Sequence, residues 1–170
     1  MFVFGRKTEK VYAQNIVDWA TKLGQGICST FDEPYDHAEK ETFLGFAFVL
    51  VEKIHLMFSK RPSPEYFVKA IPIQIESLYR KRHGINISYS RMVVVFDRKR
   101  HLLNRDISDL LEAHTVGLPL AYDMHVTRIA RILFQQTFGR VVPHMTPHLE
   151  GLASLFVSII EDAKAFELKR

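Results

Sequence analysis

The sequence predicts an all-α fold, one bundle of six or seven helices around a central apolar helix near residues 34–59. Three observations carry this. Apolar residues recur at three- and four-residue steps along most of the chain, the spacing that places them on one helical face. Start and stop signals punctuate that pattern: Asp32-Glu33-Pro34, Ser63-Pro64 and Thr146-Pro147 suit first turns, and Gly84, Gly117 and Gly139 suit the left-handed residue after a last turn. Only one stretch alternates like a strand, and an isolated strand leaves its backbone groups unsatisfied.

Taken in order, Tyr12, Ile16, Trp19, Ala20, Leu23 and Ile27 define a first amphipathic helix over about 9–24. A second runs from Pro34 to Ser59. Between Phe43 and Phe58 its apolar residues point in nearly every direction, as expected of a helix covered on most sides. A third spans 64–83 and ends in Arg80-Lys81-Arg82-His83, cations that favour a helix C-terminus; Pro72 inside it removes a hydrogen bond and predicts a kink or break.

Residues 85–96 fit two periods. Ile85, Ile87 and Tyr89 alternate with polar residues, whereas Ile85, Tyr89, Met92, Phe96 and Leu103 follow a helix; lacking a partner strand, the segment reads as helix. A short helix over 106–117, another over 120–138 and a last one after Pro147 complete the set. The last carries the stripe Leu149, Leu152, Leu155, Phe156, Ile159, Ile160, Ala163 and Phe166. Short loops and the lack of low-complexity segments or repeats predict one helical domain over 1–170.

Composition agrees. The 170 residues are 47% hydrophobic and 25% charged, with 13 Phe, enough for a core without disulfides. A single Cys, Cys28, permits no internal disulfide and fits a reducing compartment. Basic residues follow only a four-residue apolar stub at the N-terminus, so no export signal is read. The longest apolar stretch is broken by Glu52, Lys53 and His55 and falls short of the ~20 residues that cross a bilayer. A cytoplasmic protein without a membrane span is expected.

Eight histidines raise the question of metal. Glu52-Lys-Ile-His55 places a carboxylate and an imidazole on one helical face, and His37 with Glu41 lies one element start away. His37, Glu41, Glu52 and His55 are therefore the candidate ligands. A carboxylate-bridged di-iron bundle needs two Glu-x-x-His motifs, and no second one exists. The pairs His101/Asp106 and His144/His148 do not follow the order of the hemerythrin-like bundles, and Pro147 separates the latter pair. No metal or cofactor is expected.

Phosphate-loop, nucleophile-elbow and His-Glu-x-x-His motifs are missing, as is the Arg-x-x-x-x-His spacing of helical HEPN ribonucleases. Charge is more informative. Residues 80–105 hold eight basic residues (Arg80, Lys81, Arg82, Arg91, Arg98, Lys99, Arg100, Arg105) against Asp97 alone, a local +7 in a chain of net +4, leaving −3 elsewhere. Arg-Lys-Arg-His occurs twice, and Arg80, Lys81, Arg82, Arg98, Lys99 and Arg100 are the candidate binding residues; a solvated surface is the plain alternative.

The acidic run Asp32, Glu33, Asp36, Glu39 and Glu41 offers either favourable charge at a helix start or a complementary face. The expected function is a non-catalytic helical protein-binding module, a regulator, inhibitor or adaptor. Its expected partner is another protein of acidic character, or a second copy of the chain. The rivals are a metal-dependent helical enzyme or oxygen carrier, and a nucleic-acid binder that would use the arginines without an evident aromatic platform.

Overall fold

Helix α2 (His37–Phe58) organises the molecule: every residue from Phe43 to Val51 is buried, and neighbours α1 (Val3–Thr30), α4 (Tyr89–Val116), α5 (Pro119–Phe138) and α6 (Leu149–Leu168) all pack on it. A helix apolar around its circumference needs such cover on every side. The computed structural model describes residues 3–84, 86–142 and 144–169. It is 84% helical, with no strand among the described residues, so the all-α prediction and its central helix hold. Phe48 of α2 stacks on Phe96 of α4 with centroids 3.9 Å apart and planes 4° from parallel, and Phe46 meets Phe156 of α6 edge-on at 5.8 Å.

Several boundaries depart from the sequence reading for identifiable reasons. α1 continues through Gly24 and Gly26 to Thr30 instead of ending near residue 24. Those glycines are close-approach points: a methyl on Gly24 would sit 2.5 Å from the Tyr35 ring, and one on Gly26 would sit 2.5 Å from Leu155. Asp32-Glu33-Pro34 does not open α2. It forms the turn that closes α1, with Asp32 at φ 53° and the Glu33 N–H on the Cys28 carbonyl, and the next helix starts at His37.

The predicted break at Pro72 is found as a π-helical turn, Tyr66–Ala70, followed by α3 (Ile71–His83) with the proline in its first turn. Gly84, at φ 65°, caps α3 by donating to the Arg80 carbonyl.

The helix read over 85–96 starts only at Tyr89. Ile85 lies outside the described residues, Asn86 to Ser88 are not helical, and the Ser88 side chain accepts from the Arg91 N–H as an N-cap. The short helix read over 106–117 is the second half of α4, because Asp106 is buried and paired with Arg128 at 2.9 Å instead of capping a new start. Thr146-Pro147 forms a 3₁₀ turn (Thr146–His148) ahead of α6, whose Leu152, Phe156, Ile159, Ile160 and Ala163 are buried as the stripe predicted.

Candidate functional site

The three candidate metal ligands whose side chains are described, Glu41, Glu52 and His55, do not form a cluster. Glu41 accepts the Arg91 fork through both oxygens at 3.1 Å, and Glu52 accepts the Arg100 fork at 2.7 and 3.0 Å. His55, one turn beyond Glu52, faces the opposite helices α1 and α6. The His37 side chain lies outside the described residues. Among the described residues no three His, Cys, Asp or Glu side chains are grouped to hold a metal ion.

His55 belongs instead to a buried polar cluster with Tyr12 and Glu167, none more than 1% exposed. The Ser63 backbone N–H donates to Nε2 at 2.7 Å, so that nitrogen is the acceptor and Nδ1 carries the proton. Nδ1–H donates to Glu167 Oε2 at 3.0 Å, and the Tyr12 hydroxyl donates to Oε1 at 2.7 Å. Phe67 and Phe166 close over the Tyr12 ring edge-on. The cluster ties the last turn of α6 to α1 and α2, with both imidazole nitrogens already engaged.

The basic clusters are largely spent within the fold. Arg80 pairs with Glu76 at 2.9 Å, Arg82 with Asp18, and Arg100 with Glu52, Asp97 and the Phe67 carbonyl. Lys81 is exposed at the end of α3, and Arg98 is exposed on α4. Lys99 is the exception in an exposed run, only 8% accessible. It shares the inward phase of Met92, Phe96 and Leu103, a register that was available in the sequence. Its stem crosses α2 at Gly45, where a methyl group would stand 2.7 Å from Lys99 Cγ.

The Lys99 ammonium donates to the Gln136 side-chain oxygen in a cleft of about 340 Å³ lined also by Glu41, Thr42, Val95, Arg98 and Leu102. Burial lowers its pKa from 10.5 to about 8, against the opposing pull of Glu41. Between those values the unfolded chain holds a proton that the folded chain has lost, so stability contributed by this site rises with pH from about 8 towards 10.5. The expected outcome is a wild-type denaturation midpoint that gains on that of Lys99→Met between pH 8 and 10. A constant gap across that window would contradict it.

One surface was not singled out in the sequence. At the corner joining α4 to α5, Val116, Leu118, Leu120 and Met124 are 64%, 53%, 83% and 69% exposed. Gly117, at φ 74°, makes this turn, and Pro119 starts α5 with Leu120 on its outer side. Two open grooves flank it. One, of about 750 Å³, runs between the corner and α6 past His114, Tyr122, Leu149 and Ala153; the other, of about 760 Å³, follows α5 past Leu120, Met124, Arg128 and Arg131. Burial, then Asp123, raises the Tyr122 phenol above its usual range, keeping it protonated as it donates to the Ala153 carbonyl. A signal existed in Gly-Leu-Pro-Leu, apolar residues at a turn where no helical face needs them.

No helix among the described residues is long and apolar enough to cross a membrane. No protein-family model, no curated protein and no solved structure matches the chain.

Proposed function

We propose that the chain is a non-catalytic helical protein-binding module, a regulator, inhibitor or adaptor, that receives an amphipathic segment of another protein along the exposed side of α5. The observation that carries this is the apolar corner of Val116, Leu118, Leu120 and Met124, four large side chains within nine residues left in water beside two grooves. Scattered apolar residues are ordinary on a surface, but a contiguous set beside a groove is a usual mark of a docking face.

Charge selects the occupant. Leu120, Met124, Thr127 and Arg131 follow at helical spacing along one groove, apolar at the start, where Asp123 also lines it, and basic at Arg131, while Arg128 beside them is already paired with Asp106. A helix with apolar anchors and an acidic flank matches both halves. The catalytic rival loses support because Glu41 and Glu52 each hold an arginine and both nitrogens of His55 are occupied.

Selection of peptides from a random display library against the purified protein tests this reading. The expected binders share apolar residues at three- and four-residue steps with acidic residues on one side. Leu120→Glu combined with Met124→Glu should weaken them at least about tenfold, while stability stays within ~0.5 kcal/mol per surface site. Binders that tolerate the double substitution, or that are lost on changing Lys81 instead, would refute the assignment; self-association abolished by the same pair would assign the face to a second copy.

A further inference from the structure

The cleft around Lys99 lies along α4 well away from the apolar corner, 17 residues from Val116 and so about 25 Å along the helix. Its lining is unusual in three ways. The ammonium is buried yet meets a neutral amide, where a buried cation ordinarily acquires a carboxylate partner. The nearest carboxylate, Glu41, already accepts both arms of Arg91. Arg98 stands exposed at the same cleft with no ion pair among the described residues. With Glu41 balanced by Arg91, the cleft retains two positive charges.

The donors also outnumber the acceptors. Gln136 accepts from Lys99 through its oxygen, which leaves its NH₂ as a donor; the Thr42 hydroxyl adds another, and Arg98 carries five N–H groups. Val95 and Leu102 supply apolar wall. A buried ammonium, an exposed guanidinium fork and amide and hydroxyl donors around about 340 Å³ are what an oxyanion on a small organic body requires.

We infer that this cleft binds a small organic oxyanion, a phosphate- or carboxylate-bearing molecule, with its anionic group between Lys99 and Arg98 and its carbon skeleton against Val95 and Leu102. Gly45 is the positioning residue of the site, since only a residue without a side chain lets the Lys99 stem lie flat across α2. A neutral ligand would leave both charges uncompensated, and a long polyanion would not enter a cleft of this size.

The test is thermal unfolding at fixed ionic strength with inorganic phosphate, succinate or chloride, for wild type, Lys99→Met, Arg98→Ser and the control Arg105→Ser. Phosphate or succinate at ten times its dissociation constant should raise the wild-type midpoint by about 3 to 6 °C relative to chloride. The anion that reaches this shift at the lower concentration identifies the class the site prefers. Arg105→Ser should keep the response, Arg98→Ser should need about tenfold more ligand, and Lys99→Met should lose it.

Comparison across variants cancels the general stabilising action of such salts. In parallel, the Gln136 side-chain amide resonances of the wild type should shift on titration, a readout independent of whether Lys99→Met folds. An equal response in Lys99→Met, no anion-specific response in wild type, or unmoved Gln136 resonances would each overturn the inference.

Discussion

Replacing Phe48 by Ala should lower stability by about 3 to 5 kcal/mol, the range for removing a buried aromatic ring. Phe48 is fully buried, stacked on Phe96, edge-on to Phe67, and covered on its outer side by the Arg100 guanidinium at 5.2 Å. The loss therefore has three parts: burial of the ring, the stacked pair, and the seat of an arginine that holds Glu52. Neighbours cannot collapse into the space easily, because α2 is hemmed in by helices on all sides. A chain of this size should melt about 6 to 20 °C lower. Phe48→Leu, which keeps most of the apolar volume, should cost less than half as much. If the two substitutions were equivalent in urea unfolding, the stacked ring would not be the feature that fixes α4 on α2.

The elements that the sequence disclosed were those whose signals are local. Gly84, Gly117 and Gly139 all take positive φ at the helix ends where they were read, and the apolar circumference of Phe43 to Phe58 marked the central helix. What misled was a local signal overruled by a distant contact. Asp106 has the chemistry of an N-cap, but Arg128 on the next helix makes it an interior ion-pair partner, so α4 continues through it. The first helix reads only to about residue 24, because the sequence alone does not show Tyr35 and Leu155 pressing against Gly24 and Gly26 in its continuation to Thr30.

The same distinction separates the readable and unreadable parts of the functional surface. Arg-Lys-Arg-His at 98–101 looks like one charged patch, yet a helix turns each neighbour by about 100°, which sends Lys99 inward, Arg100 to Glu52, and Arg98 and His101 outward. The apolar corner was written in Leu118 and Leu120 but carries no periodicity to flag it. The Tyr12, His55 and Glu167 cluster joins residues 43 and 112 positions apart, so no spacing rule reaches it.

That cluster supplies the other large expected effect. Glu167→Leu should cost about 2 to 6 kcal/mol, because it leaves two buried donors, the Tyr12 hydroxyl and the His55 Nδ1–H, without their acceptor, although it lies in the last turn of the last helix, where substitutions are usually mild. The carboxylate is the shared acceptor for the Tyr12 hydroxyl and the His55 Nδ1–H, while Nε2 is committed to Ser63, so the imidazole cannot turn over to compensate. Tyr12→Phe removes the donor to the carboxylate and the hydroxyl's 2.9 Å contact with His55 Nδ1 but leaves the hydrogen bond between His55 and Glu167, and it should cost only about 1 to 3 kcal/mol. The two changes should not add: once the hydroxyl is gone, losing its acceptor matters less, and the double variant should fall short of the sum by about 1 kcal/mol or more. Urea unfolding of the four proteins measures this coupling, and hydrogen exchange over Ala163 to Glu167 shows whether the end of α6 frays first. Strict additivity, or a Glu167→Leu midpoint within error of wild type, would mean that Phe156, Ile160 and Ala163 hold α6 without the polar anchor.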